Sequence, residues 1–159
     1  MTVVTLVSSR NDSREWQRAN IPVPKSHIVG IVVGSVLQQI ESLQLPVSRR
    51  TALIIGTSSI GLNVLIIGWA VLALGRVDAR DPEQLVTSGP YGFSRNPMYV
   101  AWTGLYVGLA VLFRSFWVLL LTPLVAIAVH ITVRREEAEL AQSFGESYRS
   151  YQERVPRYV

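Results

Sequence analysis

Most residues able to do chemistry fall in two stretches. Leu85–Tyr99 reads LVTSGPYGFSRNPMY, and Arg134–Tyr158 reads RREEAELAQSFGESYRSYQERVPRY. In the first, a Gly89-Pro90 turn gives backbone groups close access to a ligand. The rings of Tyr91 and Tyr99 can face a cation, at about 0.5–2 kcal/mol per contact, and Arg95 can meet a carboxylate. The second opens with Glu136 and Glu137, which can pair with an ammonium or accept from hydroxyls. Each has a plainer role. Gly-Pro-Tyr can be a simple turn. Asn96-Pro97 reads as a helix start, with asparagine as cap and proline in the first turn. Arg134 and Arg135 can snorkel at a lipid interface, and the two glutamates can pair with them. His130, one turn before Arg134, reads as a packed helix residue. The sequence has no cysteine, which excludes a thiol nucleophile, disulfides and Cys-ligated zinc. With only His27 and His130, no metal site is expected, and no nucleotide-binding or nucleophile-elbow signature is present.

The elements that must position these residues are apolar. Of the 159 residues, 49% are hydrophobic and 16% charged, against about 25% charged in soluble domains. Thr51–Leu74 carries no charge, and Met98–Val133 carries one, Arg114. Uncharged runs of this length read as membrane spans. The sequence therefore predicts an all-α integral membrane protein with four transmembrane helices, at about 27–45, 51–75, 98–113 and 116–134. An amphipathic cytoplasmic helix follows, with Glu137, Leu140, Ala141, Phe144, Tyr148 and Tyr151 at three- or four-residue steps and Gly145 as a bend. Arg114-Ser115 marks a tight turn, and Pro123 a kink in the fourth span. Small-residue stripes for close helix packing are expected at Gly30/Gly34, Gly104/Gly108 and Gly61/Gly68/Gly75. Residues 1–25 read as a polar lead-in without the features of a signal peptide, ahead of a single membrane domain, 26–159.

Four spans divide the basic residues by side. Twelve of the fifteen fall on the face shared by the N-terminal segment, the 76–95 loop and the tail; Arg49, Arg50 and Arg114 fall on the other. The positive-inside rule places both termini and the loop in the cytoplasm of a plasma or inner membrane. The net charge of +4 is thereby topological, and nucleic acid is not an expected partner.

The two blocks resemble the isoprenylcysteine carboxyl methyltransferase family, a group that includes phospholipid methyltransferases. Leu85-Val86-Thr87, Gly89-Pro90-Tyr91, Arg95-Asn96-Pro97 and Tyr99 match its first motif. Glu136-Glu137, Leu140, Phe144-Gly145, Tyr148 and Tyr151 match its second. Two positions depart from the pattern: Asn96 stands where many members have a histidine, and Glu83 where eukaryotic members have another. Asparagine does not titrate, so it cannot serve as an acid or base there.

The resemblance implies S-adenosylmethionine as methyl donor, held at the cytoplasmic membrane border. Leu85, Val86, Gly89, Tyr91, Asn96, Pro97, Met98 and Tyr99 would line it, with Glu136 or Glu137 at its polar end. Glu136, Glu137 and Arg95 are the candidate catalytic residues. Arg134, Arg135 and Tyr148 are the candidates for a lipophilic acceptor that enters sideways from the bilayer. Methyl transfer demands positioning and exclusion of water. A carboxylate acceptor needs no base, and with none obvious in the sequence it is mildly favoured over an amine or thiol. The alternatives are phospholipid N-methylation, an NADPH-dependent membrane reductase, and a non-catalytic membrane scaffold.

Overall fold

In the computed structural model, residues 24–74 and 85–159 are described. Their helices are α1 (Lys25–Ile40), α2 (Arg49–Leu74), α3 (Pro97–Leu112), α4 (Phe116–Leu120), α5 (Thr122–Phe144) and α6 (Glu146–Arg154), with a 3-10 turn at Gly89–Gly92. Among the described residues every extended element is helical, in line with the all-α expectation. The lead-in as far as residue 23, and Glu83, lie outside the described residues.

Among the described residues one helix, α2, is long and apolar enough to cross a membrane; it has 26 residues, and α3 is apolar but shorter. A helix buried in a soluble core would pass the same test. Here only 17% of the most apolar window of α2 is buried, and Leu65 is 72% exposed. Valines and isoleucines of α1, together with Leu124, Ile127 and Ile131 of α5, continue this apolar exterior. Such a belt far exceeds what a water-facing surface carries.

α2 and α3 match the second and third expected spans to within two residues, but the first and fourth differ. α1 stops at Ile40, because Glu41 turns extended. Residues 43–45, expected to be helical, instead pair with 114–116. The Leu45 N–H donates to the Arg114 carbonyl (2.9 Å) and the Phe116 N–H to that of Leu43 (3.2 Å). Backbone groups at the helix ends find partners in each other this way. Trp117 Nε1 donates to the Glu41 carbonyl at 2.8 Å, and Ser115 Oγ bonds Gln38 at 3.1 Å. The tight turn is where expected, with Arg114 left-handed at φ 53°. The expected fourth span is two helices: α4 ends at Leu120, capped by Leu121, and α5 starts at Thr122. Pro123, in the first turn of α5, needs no N–H partner there, so the expected kink is a break. α5 then runs past Arg134 to Phe144, roughly 34 Å at 1.5 Å per residue, until Gly145 bends the chain at φ 54°.

Glycines set the helix spacing. A Cβ on Gly30 would lie 2.6 Å from Val125 Cγ2, and one on Gly34 would lie 2.7 Å from Val118 Cγ2. α2 and α3 pack antiparallel, Gly56 on Leu112, Ser59 on Gly108 and Asn63 on Gly104. The Gly30/Gly34 and Gly104/Gly108 expectations hold. The Gly61/Gly68 stripe does not, since nothing lies within 4 Å of a Cβ at either; Gly75 is outside the described residues. Buried Gly56, Asn63 and Ala70 keep the seven-residue step on another face.

Candidate functional site

The ends of α3 and α5 and the chain terminus build one polar cluster. Gly89, at φ 63°, seats the 3-10 turn against α2; a Cβ there would come within 3.3 Å of both Ala73 and Trp69. Tyr151 Oη of α6 donates to the Tyr91 carbonyl at 2.7 Å. The residues after α6 fold back along this loop. The Arg95 N–H donates to the Pro156 carbonyl at 2.9 Å, and Ser94 Oγ to that of Arg157 at 3.2 Å. Tyr148, Tyr151 and Val155 fill the space beneath, against Leu85, Leu140 and Phe144. The two sequence blocks, 37 or more residues apart along the chain in their side-chain hydrogen bonds, therefore meet.

The twin glutamates diverge at this junction. Glu137 is 4% exposed and saturated. Oε1 accepts from Arg95 Nε (3.2 Å) and Asn96 Nδ2 (3.0 Å). Oε2 accepts from Arg157 Nε (2.9 Å) and Arg95 Nη2 (3.4 Å). Arg95 Nη1 donates to the Gln152 carbonyl at 3.1 Å. A buried carboxylate persists only when paired and fully hydrogen-bonded, and this one is. The pairing of the glutamates with Arg134 or Arg135 weighed above is not what forms at Glu137. Nor does Asn96 cap α3: its side chain makes no cap bond, because the Glu137 carboxylate and the Arg157 carbonyl (3.2 Å) take both its donors. Pro97 does begin α3.

Glu136, about 100° round the helix, is half-buried and accepts from Tyr99 Oη at 2.8 Å. Among the described residues no cation pairs with it. Burial raises its pKa above the ordinary carboxylate value, Glu139 adds to the rise, and the Tyr99 hydrogen bond partly opposes it. Burial and the nearby Tyr151 raise that of Tyr91. Tyr148 is pushed up to about 12, by burial first and then by Glu137.

The remaining expected residues divide. Met98 and Pro97 are buried, and Leu85 and Val86 half-buried beside the loop. Tyr148 is 1% exposed and packs on Tyr151 at a ring separation of 6.0 Å. It is core to the tail, so a contact to an acceptor is not available to it as placed. Arg134 and Arg135 are exposed and, with Ile131, line an open depression of about 320 Å³. His130 Nδ1 meets Tyr158 Oη at 3.0 Å, the packed role expected.

A second concavity, about 70 Å³, lies between the start of α1 and α5, with Lys25, Ser26, His27, Tyr99, Val129 and Thr132 on its walls. Its histidine is absent from the candidate residues above. No motif marks it; a histidine at the start of an apolar run is the only signal.

What this arrangement can do is bind a cation at Glu136, beside the Tyr99 ring, at the polar end of an apolar bundle. A model of the phospholipid methyltransferase family matches residues 51–147. The protein-S-isoprenylcysteine O-methyltransferases of Mus musculus, Homo sapiens and Rattus norvegicus are each 36% identical to the chain over 84 residues. The match covers 48% of this chain and 27% of each relative, so the chain spans about a quarter of their length. No solved structure matches it.

Proposed function

The chain belongs to the phospholipid methyltransferase family, and on that premise we propose that it is a membrane methyltransferase taking its methyl group from S-adenosylmethionine and passing it to a lipophilic acceptor. The observation that carries this reading is the half-buried carboxylate of Glu136, bonded to Tyr99 and lacking a cationic partner among the described residues. The donor molecule is cationic at its ammonium and its sulfonium. A desolvated carboxylate gains more from a cation than one in water does, and a tyrosine face adds to the attraction. When bound, S-adenosylmethionine supplies an electrophilic methyl carbon.

The other residues then take distinct roles. Glu136 holds the ammonium. Tyr99 fixes the Glu136 carboxylate and presents its ring. Glu137, Arg95, Asn96 and Arg157 position the site: their shared network clamps the loop to α5 and the tail. Arg95 thus orients the loop and is not a reacting group, a revision of the role expected above. The tail over the loop keeps water from the reacting carbon. We read α1, α2, α3 and the α4–α5 pair as far as residue 134 as four spans, with the rest of α5 beyond the membrane. The site then lies at the cytoplasmic edge by the positive-inside rule, with Arg134 and Arg135 at the headgroup level. The relatives named for O-methylation favour a carboxyl acceptor, and the family named for phospholipids favours a lipid amine.

Equilibrium binding to the protein in detergent tests this. S-adenosylmethionine binds the wild type, and Glu136→Gln weakens it about tenfold or more, the worth of a charge-assisted hydrogen bond of about 1.5–3 kcal/mol. Binding of NADPH in its place would favour the reductase, binding of neither the scaffold. A Glu136→Gln protein with unchanged donor affinity would remove this assignment.

A further inference from the structure

One face of α5 takes no part in the Glu136 site. Leu124, Ile127 and Ile131 are exposed on it, and Arg134 and Arg135, exposed as well, continue the same stripe. At about 100° per residue the stripe is centred roughly 150° round the helix from Glu136. The buried face carries Val125, Val129, Val133 and Glu137. Among the described residues no carboxylate pairs with Arg134 or Arg135. Glu139, one turn on from Arg135, is exposed and stays apart from it. Of the described residues, Ile131 and the two arginines line the open depression at the head of the stripe.

We propose that this stripe seats an anionic phospholipid that is not the methyl acceptor, its phosphate on Arg134 and Arg135 and its acyl chains along Ile131, Ile127 and Leu124. The seat needs only that the α4–α5 pair spans the membrane, whatever reaction the Glu136 site performs. From Leu124 to Arg134 the helix rises roughly 15 Å at 1.5 Å per residue, half of a hydrocarbon core of about 30 Å. The apolar part of the stripe therefore matches the depth of one leaflet, and the arginines fall where the phosphates of that leaflet lie. A guanidinium meets a phosphate with two parallel hydrogen bonds. Charge then decides the headgroup. A choline or ethanolamine brings its own cation beside the phosphate, and two arginines repel it. A glycerol headgroup leaves the phosphate charge for the arginines, and basic residues at the cytoplasmic surface favour anionic lipids. Snorkelling by itself lifts an arginine to the headgroups without choosing among them; an adjacent pair with no carboxylate beside it does choose. Because the stripe looks away from Glu136, a lipid on it does not reach a methyl group held there. Arg134 and Arg135, expected from the sequence to meet the acceptor, thus serve a second lipid that fixes the depth of α5.

The test places the full chain in phosphatidylcholine vesicles with a trace of diazirine-bearing phosphatidylglycerol or phosphatidylcholine, and maps the photolabel by peptide. On residues 124–135 the wild type should take at least about fivefold more label from phosphatidylglycerol. Excess unlabelled phosphatidylglycerol should suppress it, and excess phosphatidylcholine should not. Arg134→Gln/Arg135→Gln should bring the ratio down to about one. Arg149→Gln/Arg154→Gln removes the same charge from α6 and should keep the wild-type ratio within about twofold, which separates a seat from general attraction. Equal label from the two lipids in the wild type overturns the proposal, as does a preference that survives Arg134→Gln/Arg135→Gln or one lost equally in both double variants. Label from neither lipid on this stretch, the result if another part of the chain covers the arginines, overturns it too. Should Arg134→Gln/Arg135→Gln fold poorly, the competition in the wild type decides. A chain released from the vesicles by alkaline washing would sink the span reading and the lipid seat together; one that stays and shows no preference sinks the seat alone.

Discussion

Glu136 and Glu137 are neighbours in sequence and opposites in chemistry. One helical step carries Glu137 into a cage of Arg95, Asn96 and Arg157, and leaves Glu136 with a single tyrosine hydroxyl. The pH response separates them. Because burial raises the pKa of Glu136, the free protein binds its proton more tightly folded than unfolded. That contribution to stability is present at low pH and is lost as pH rises from the ordinary carboxylate value through the raised one. Donor binding runs the other way, since it requires the ionised form. Affinity for S-adenosylmethionine should therefore climb as pH rises through the pKa of Glu136, with proton release on binding, and Glu136→Gln should flatten the profile. A profile equally steep in Glu136→Gln would assign the titration elsewhere. The sequence showed both glutamates as candidates and could not choose, because the choice depends on the rotation of α5 about its axis. It gave no hint of the cage, which draws on residues 20 and more positions away.

At the scale of elements, apolar run lengths and punctuation were legible. Arg49, Pro97, Arg114, Pro123 and Gly145 fall at or beside helix ends or breaks, since each is a charge, a missing donor or a left-handed residue that a continuing helix does not tolerate. The end of α1 was not legible, because residues 43–45 leave the helix only in answer to 114–116, a partner far along the chain. Glycine spacing was legible and its phase was not. A direct comparison follows. Gly56→Ala must push a Cβ to within 2.7 Å of the Leu112 backbone and should cost about 1–3 kcal/mol. Gly61→Ala enters open space and should be neutral or stabilising by up to about 1 kcal/mol on helix propensity. Thermal unfolding in detergent reads both, and equal effects would mean that α2 does not pack on α3 through Gly56.

The whole molecule is a bundle whose apolar exterior suits lipid while two polar stretches distant in sequence close over one end. Tyr91–Tyr99 and Glu136 reach each other because α3 and α5 emerge from the bundle side by side, and the returning tail fastens them. The site was legible as two blocks; the tail residues Pro156 and Arg157, which hold the blocks together, carry no motif signal. The most direct measurement is photochemical cross-linking of methyl-labelled S-adenosylmethionine to the protein in sealed vesicles, followed by peptide mapping. Label is expected in both Leu85–Tyr99 and Arg134–Tyr158, and only when the donor is added to the face that carries the termini. Label confined to one of these stretches, or appearing from the face that carries Arg49 and Arg114, would contradict it.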